Sequence, residues 1–290
     1  MKLGLNLLLW TGHVTSALYP DLIKVKKAGF DGVEVPIMEG DTAHYAALGA
    51  FLRNEGLECT AVTMIPDRAR NPASAERQQR QAGLDYLRQR SDWAAAMGAD
   101  LLIGPYHSPL GVFTGTGPTD AERNWVAEVH RDFADHAAAQ GITLAVEWLN
   151  RFECYFLTTM ADAVNFAKLV ERPNYFTMLD TFHSHIEEKN VAASIRAAQH
   201  WIRHVHVSEN DRGTPGQGQV NFPAAFRALQ DLGYDRWLMI EAFGRSLPEL
   251  AAATCVWRDF FHSPEQVYLE GGPYVRDTWA AATQVTKNQI

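Results

Sequence analysis

A single (β/α)8 barrel with a C-terminal helical extension is the fold that the sequence predicts, and three observations predict it. Eight short apolar runs rich in β-forming residues recur along the 290 residues, with helical patterns between them. Five of the runs follow a glycine that ends a helical pattern, where glycine adopts positive φ at little cost. Strand and helix alternate in units of about 30 to 40 residues, which predicts parallel strands and fits a closed barrel better than an open doubly wound sheet.

The strands are expected at the apolar runs, taken in chain order. The first run covers Leu3 to Trp10, and no GxGxxG motif follows it, as a dinucleotide-binding fold would require. The other seven runs lie in the segments KKAGFDGVEVPIM, RNEGLECTAVTMI, AAMGADLLIGPY, AAQGITLAVEWLN, YFTMLDTFH, IRHVHVSEN and QDLGYDRWLMIEAF.

Helices are predicted between the strands, and several of them open with Asp, Ser or Asn as a cap. They cover Leu18 to Ala28, His44 to Asn54, Ala75 to Met97, Ala121 to Gln140, Ala161 to Val170, Val191 to His200, Phe222 to Leu232 and Leu247 to Phe260. Residues 262–290 follow the eighth unit without a strand of their own, and we expect them to pack against the barrel or a partner subunit. Residues 1–290 are therefore predicted to form one domain.

Composition and charge narrow the function classes. Hydrophobic residues make up 47% and charged residues 21% of the chain, the balance of a globular protein with a large core. The net charge of −8 argues against nucleic acid and anionic membranes as partners. Three cysteines in no metal-type spacing suit reduced thiols, and no segment has the length of a membrane span. We expect a cytoplasmic protein without a nucleic-acid or membrane partner.

Polar residues end four consecutive predicted strands. They are Glu147, Asp180, His206 and Glu241, each about one βα unit after the last. The C-terminal ends of barrel strands form the mouth where active sites lie, so these side chains are expected to converge there if their faces point inward.

Three converging carboxylates repel one another unless a cation neutralises them. Oxygen-rich ligands with one imidazole suit Mn²⁺, Mg²⁺ or Co²⁺ and leave positions open for a substrate, whereas structural zinc prefers more His or Cys. Any one of the four residues could instead be an ordinary polar strand end. The four together, at barrel spacing, favour a metal site.

Four motifs carry a family resemblance. The segments are EWLNRFE (Glu147 to Glu153), LDTFHSHIEE (Leu179 to Glu188), HVHVSENDRGTPGQG (His204 to Gly218) and IEAF (Ile240 to Phe243). They resemble the motifs of the ketose 3-epimerases, the D-tagatose, D-allulose (psicose) and L-ribulose 3-epimerase group of the xylose-isomerase-like TIM barrel superfamily. The chain departs from that pattern at Ser184-His185, where the family usually has Met-Asn.

The resemblance implies roles for individual residues. Glu147, Asp180, His206 and Glu241 would hold a divalent metal, commonly manganese, and Glu147 and Glu241 would exchange a proton on opposite faces of the sugar. The resemblance also implies that the O1 to O3 end of the substrate would bind to Glu153, His183 and Arg212.

Inversion at C3 of a ketose needs this kind of arrangement. A proton α to the carbonyl is removed and another returns to the opposite face, so two bases must flank a planar enediolate. Trp10 and Phe243 are aromatic residues at strand ends that could line the sugar pocket. Glu34 and Glu209 are candidates for hydrogen-bonding partners of the site or for structural pairs with a basic residue, and His204 is expected to be a core histidine.

The predicted function is a metal-dependent epimerase acting at C3 of a free ketose, with a homodimer or homotetramer as its assembly. An aldose–ketose isomerase of the hydroxypyruvate- or rhamnose-isomerase type could use the same metal site. A metal-dependent endonuclease would need a basic face and further zinc ligands, and a sugar-binding protein would not need two opposed bases. The sequence has no Lys- or Arg-rich phosphate cradle besides Arg212 and Arg245, which favours an uncharged sugar.

Overall fold

Eight parallel strands close into a barrel in chain order in the computed structural model, which describes residues 1–287. The strands are β1 Lys2–Asn6, β2 Gly32–Pro36, β3 Glu58–Val62, β4 Leu101–Gly104, β5 Thr143–Val146, β6 Tyr175–Asp180, β7 Ile202–Val207 and β8 Trp237–Ile240. β1 pairs with both β2 and β8, so the sheet closes on itself. The predicted barrel is confirmed.

Ten helices surround the barrel within the described residues. They are α1 Tyr19–Lys27, α2 Thr42–Asn54, α3 Arg77–Met97, α4 Asp120–Ala138, α5 Met160–Val170, α6 Thr181–Glu187, α7 Val191–Ala198, α8 Phe222–Asp231, α9 Pro248–Ala253 and α10 Pro264–Lys287. Seven of the eight helices predicted from the sequence are present with ends shifted by a few residues. The sequence did not predict α6 as a separate helix.

The eighth predicted helix, Leu247 to Phe260, is wrong in its C-terminal half because α9 ends early. Cys255 adopts a left-handed φ of 57°, which no continuing helix allows. The amide of Val256 then donates to the carbonyl of Ala251 at 2.8 Å, the hydrogen bond of a Schellman-type helix end.

The glycines of the sequence repeat have the conformation on which the strand assignment depended. Each of the five lies between a helix and the following strand with φ between 69° and 93°. These residues are Gly29, Gly56, Gly98, Gly141 and Gly233. Each thus lets the chain turn from helix to strand without the steric cost of a side chain.

Small and large side chains alternate inside the barrel. A Cβ on Gly4 would lie 2.5 Å from the Met239 side chain, and one on Gly32 would lie 2.7 Å from the Trp237 ring. Strand pairing aligns Gly4 with both Gly32 and Met239, so the two glycines leave the space that the large residues fill. This packing seals the floor of the barrel below the mouth.

The C-terminal extension packs against the barrel, one of the two placements expected for residues 262–290. Gln230 of α8 donates to the carbonyl of Trp279 and to the hydroxyl of Thr283, both at 2.8 Å. The ring of Trp279 also meets Phe226 of α8. Residues 288–290 of the predicted extension lie outside the described residues. Among residues 1–287, no helix has both the length and the apolar character needed to cross a bilayer.

Candidate active site

The four strand-end residues meet at the mouth of the barrel. Glu147 follows β5, Asp180 ends β6, His206 lies in β7 and Glu241 follows β8. All four are buried, and each offers one oxygen or nitrogen to a group of atoms within 4.8 Å of one another. His206 Nδ1 lies 3.2 Å from Glu241 Oε1 and 3.7 Å from Glu147 Oε1. The structure therefore brings the predicted metal ligands together.

His206 is oriented as a metal ligand would be. Its Nε2 lies 2.6 Å from Glu34 Oε1, so that nitrogen donates its proton to the carboxylate. Its Nδ1 is buried without a hydrogen-bond partner among the described residues and faces the carboxylates. A divalent cation would supply the missing partner of Nδ1 and neutralise the carboxylates, so the donor set fits such an ion.

The pKa shifts report the crowding of negative charge. Burial raises the pKa of Glu147 well above its ordinary value, and the nearby Glu241 and Asp180 add to the rise. Burial also raises the pKa of Asp180 to about 6, although Arg212 opposes it. For Glu241, burial is outweighed by His206 and Arg212, so its pKa is lowered. Burying these carboxylates close together therefore costs free energy, and a bound cation would offset that cost.

Asp180 also begins the helix that follows it. Its Oδ1 accepts a hydrogen bond from the amide of Phe182 at 2.6 Å and caps α6. Its Oδ2 is turned the other way, 3.0 Å from Arg212 Nη1. The cap therefore fixes the rotamer that directs Oδ2 into the site.

Arg212 reaches the site from the loop after β7. Its Nη1 donates to Asp180 Oδ2, to Glu241 Oε2 at 2.8 Å and to Ser208 Oγ at 3.0 Å. The guanidinium lies 3.7 Å from the ring of Phe182 and 4.8 Å from that of Phe243. The backbone of Arg212 is left-handed at φ 64°, an uncommon conformation for a non-glycine residue that often marks functional sites.

Glu153 and His183 are joined by a residue that the sequence analysis did not single out. The amide nitrogen of the Asn150 side chain donates to Glu153 Oε1 at 2.7 Å, and the backbone N–H of Asn150 donates to His183 Nδ1 at 3.0 Å. With Nδ1 accepting, the proton of the neutral His183 ring is assigned to Nε2, which lies 3.6 Å from Asp180 Oδ2, 3.8 Å from Glu147 Oε1 and 3.2 Å from Arg212 Nη2. Burial lowers the pKa of His183, which keeps the ring neutral.

One cavity at the mouth contains both predicted bases and most of the predicted substrate-binding residues. Its polar lining consists of Glu147, Glu153, His183, Arg212, Glu241 and Thr254. Its apolar lining consists of Leu8, Val62, Met64, Pro105, Leu110, Leu149, Phe243 and Leu250. Trp10 lies outside this lining and packs against Tyr268 of α10, with 6.1 Å between ring centroids.

Two carboxylates near the site have hydrogen-bonding roles. Glu34 is fully buried beneath the four strand-end residues and bonds to His206, as described above. Glu209 accepts from the amides of Gly216 and Val220 and so holds the loop that carries Arg212. Neither is paired with an Arg or a Lys among the described residues, so both have the hydrogen-bonding role and not the structural ion pair that the sequence also allowed.

Asn6 was not predicted to belong to the site, although the sequence carries a signal for it. Asn6 is a polar residue at the end of β1, the same feature that identified the four ligands. Its side-chain amide donates to Glu241 Oε1 at 3.0 Å.

Ser184 and His185, where the chain departs from the motif of the ketose 3-epimerases, lie beside the site. Ser184 donates to the carbonyl of Asp180, whereas His185 is exposed.

Comparison with known proteins agrees with this geometry. The family model described as xylose isomerase-like TIM barrel matches residues 22–270. The chain belongs to this family. A ketose 3-epimerase from Arthrobacter globiformis is 31% identical over 97% of this chain and 98% of its own length. A D-psicose 3-epimerase from Agrobacterium fabrum is 31% identical over 89% of this chain and 91% of its own length.

Solved structures of the family have the same fold. The crystal structure of D-allulose 3-epimerase from Methylomonas sp. superposes with a TM-score of 0.89 at 28% identity and covers 96% of this chain and 98% of its own. The resemblance to ketose 3-epimerases and the prediction of an isomerase are thus confirmed at the level of the family.

Proposed function

We propose that this protein is a metal-dependent epimerase that inverts C3 of a free ketose of the D-tagatose, D-fructose, D-allulose or L-ribulose type. The observation that carries the proposal is the placement of Glu147 and Glu241. Both belong to the four-residue cluster, and both line the cavity in which a sugar would bind. They come from strands at opposite ends of the ligand series, which suits them to act on two faces of one substrate.

Glu147, Asp180, His206 and Glu241 would hold the cation. When bound, it would polarise the sugar carbonyl and stabilise negative charge at O2 and O3, a Lewis-acid contribution of several kcal/mol. The ligand set of three carboxylates and one imidazole favours Mn²⁺, with Mg²⁺ or Co²⁺ as alternatives.

Glu147 and Glu241 would move the proton. One carboxylate takes the hydrogen of C3 as a proton, and the bonding pair left on carbon forms the enediolate with the carbonyl at C2. The other glutamate, in its protonated form, then returns a proton to the opposite face of C3. The reverse reaction exchanges the two roles, so each glutamate serves as base for one epimer.

The surrounding residues would hold the sugar in place. Arg212 and the Nε2–H of His183 are donors for sugar oxygens, and Glu153 is an acceptor for a hydroxyl. Phe243 would cover the apolar face of the sugar from within the cavity. Trp10 remains a predicted contact, although its ring lies against Tyr268 in this structure.

An uncharged substrate fits the cavity better than a phosphorylated one. Arg212 is the one Arg or Lys among its described lining residues, and its Nη1 is already engaged by two carboxylates. Arg245 pairs with Asp259 and is exposed. A phosphate group would therefore find a single guanidinium whose charge already pairs with two carboxylates.

The test is conversion of a panel of ketohexoses and ketopentoses with Mn²⁺ in D₂O. We expect C3 epimers as products, solvent deuterium at C3, and loss of both on chelation of the metal. Deuterium and products confined to C1 and C2 would contradict the proposal and fit an aldose–ketose isomerase.

We also propose a homodimer or homotetramer. Among the residues whose exposure the structure describes, three large apolar side chains are more than half exposed, namely Phe152 at 72%, Trp257 at 71% and Leu269 at 56%. Contact with a second copy would remove them from water. Sedimentation velocity would contradict this by giving a monomer at micromolar concentration.

A further inference from the structure

A second polar layer lies beneath the four strand-end residues. Asn6, Glu34 and Thr60 are aligned by strand pairing across β1, β2 and β3. All three are fully buried, as is His204, which reaches the same layer from β7. An apolar layer like that of Met239 and Trp237 would fill this space without the cost of desolvating a carboxylate. The layer must therefore be explained by the residues that it contacts.

Glu34 is the centre of this layer. Its Oε1 accepts from His206 Nε2 at 2.6 Å and from the Asn6 amide at 3.0 Å. Its Oε2 accepts from Thr60 Oγ1 at 2.9 Å and lies 2.8 Å from His204 Nε2. The two oxygens thus face different residues: Oε1 faces those that touch the site, and Oε2 faces the interior.

Asn6 connects Glu34 to the second base. Its Oδ1 accepts from the amide of Leu8 at 2.9 Å, which fixes the orientation of the side-chain amide. The NH₂ group is then held between Glu34 Oε1 and Glu241 Oε1, at 3.0 Å from each. One carboxylate oxygen of Glu34 therefore sets the position of both His206 and, through Asn6, Glu241.

We propose that Glu34 and Asn6 are positioning residues: Glu34 holds His206 with Nδ1 free to ligate, and Asn6 aims Glu241 at the substrate. This inference rests on the proposed function. Glu34 would raise the basicity of the imidazole as well as fix its orientation, as carboxylates behind metal-ligating histidines do. Asn6 would act on the proton transfer because it contacts the base and not the histidine.

Calorimetric titration of metal-free protein with MnCl₂ tests the role of Glu34. We expect Glu34→Gln, which keeps an acceptor without the charge, to weaken Mn²⁺ binding about tenfold, and Glu34→Met, which removes the acceptor, to weaken it about a hundredfold. Thr60→Val is the matched control because it removes a bond to Oε2 only, and its affinity should stay within about twofold of wild type. Equal weakening in Thr60→Val and Glu34→Gln would mean general loosening and would overturn the proposal.

The metal-free protein gives an independent readout if Glu34→Met fails to fold. The His206 Nε2 proton, hydrogen-bonded to a buried carboxylate, should give a downfield ¹H NMR signal that persists in Thr60→Val and shifts upfield in Glu34→Gln. An unshifted signal in Glu34→Gln would overturn the assignment of the bond.

Asn6→Ser tests the second part of the proposal, the role of Asn6 toward Glu241. Serine keeps an acceptor for the Leu8 amide and removes the donor to Glu241. At saturating Mn²⁺ we expect kcat to fall about tenfold, with KM for the sugar within about twofold of wild type. Unchanged kcat would overturn the role of Asn6. Wild-type protein that binds no Mn²⁺ would overturn the proposed function itself, whereas wild-type binding with unaffected Glu34 variants would overturn this inference alone.

Discussion

The two halves of the barrel mouth differ in chemistry. The loops and strand ends of β5 to β8 supply all the charged side chains of the described cavity lining. The ends of β1 to β4 supply five apolar residues, namely Leu8, Val62, Met64, Pro105 and Leu110. Charged and apolar side chains thus occupy separate parts of one cavity, and under the proposed function we expect the first part to carry the proton transfer and the second to select among sugars. Substitutions in the first half should change rates, and those in the second should change substrate preference.

The largest effect is expected from the two bases. Glu241→Gln should lower the rate of deuterium uptake at C3 by about 10² to 10⁴, because a general base is lost while the side-chain volume is kept. Glu147→Gln should do the same. Isotope uptake followed by NMR, with thermal unfolding as a check of the fold, measures this. Uptake at the wild-type rate in either variant would remove that residue from the mechanism.

Acidification should affect only the charged half. Burial raises the pKa of Asp180 to about 6, so below that pH a proton competes with the cation for its carboxylate. We expect Mn²⁺ binding about tenfold weaker at pH 5 than at pH 7.

In the metal-free protein, Asp180 changes the free energy of unfolding with pH in the direction opposite to that of a salt-bridged Asp. The folded state binds a proton that the unfolded chain releases near 3.8, so this group stabilises the fold less as the pH rises toward 6.

Calorimetric titration of Mn²⁺ across this pH range measures the effect. An affinity that does not change between pH 7 and pH 5 would show that no ligand takes up a proton there, and it would contradict the raised pKa.

A smaller effect is expected at the apolar wall. Leu110→Ala, in the loop after β4, should change the ratio of kcat/KM between a ketohexose and a ketopentose by about tenfold, because the lost contacts are worth about 1–3 kcal/mol. The rate of deuterium uptake at C3 from a saturating pentose should stay near wild type. Equal losses for all sugars would mean that the wall serves the reaction itself, and the comparison of the two halves would fail.

The smallest effect is expected at Trp10. Because its ring contacts Tyr268 and other residues line the cavity, Trp10→Phe should raise KM by about threefold or less with kcat unchanged. Steady-state kinetics on the preferred ketose decides this. A much larger rise in KM would place Trp10 in contact with the sugar.

The sequence carries the strand and helix pattern because each unit is specified locally. Glycine precedes five of the strands because the chain makes a left-handed turn at each of those positions. The clustering of the four strand-end residues could likewise be predicted because barrel closure places consecutive strand ends at one height. The contact of Asn6 with Glu241 could not, because it joins the first and last strands across 235 residues and depends on the register of closure.

Local backbone conformation also limited what could be predicted from the sequence. The end of α9 depends on the left-handed Cys255, a residue that has no strong preference for that conformation. The side of the barrel to which Trp10 turns depends on the short 3₁₀ helix Leu7–Leu9, which interrupts the apolar run after β1. Period-two alternation no longer holds beyond that point.

Asp180 has two duties that a single mutation would disturb together. One oxygen caps the helix that carries His183, and the other faces Arg212 at the cluster of Glu147, His206 and Glu241. Asparagine can still initiate a helix, so that replacement isolates the loss of a ligand, whereas alanine also frees the first turn of α6. Replacing Asp180 to change the chemistry of the site would therefore also change the N-cap of α6.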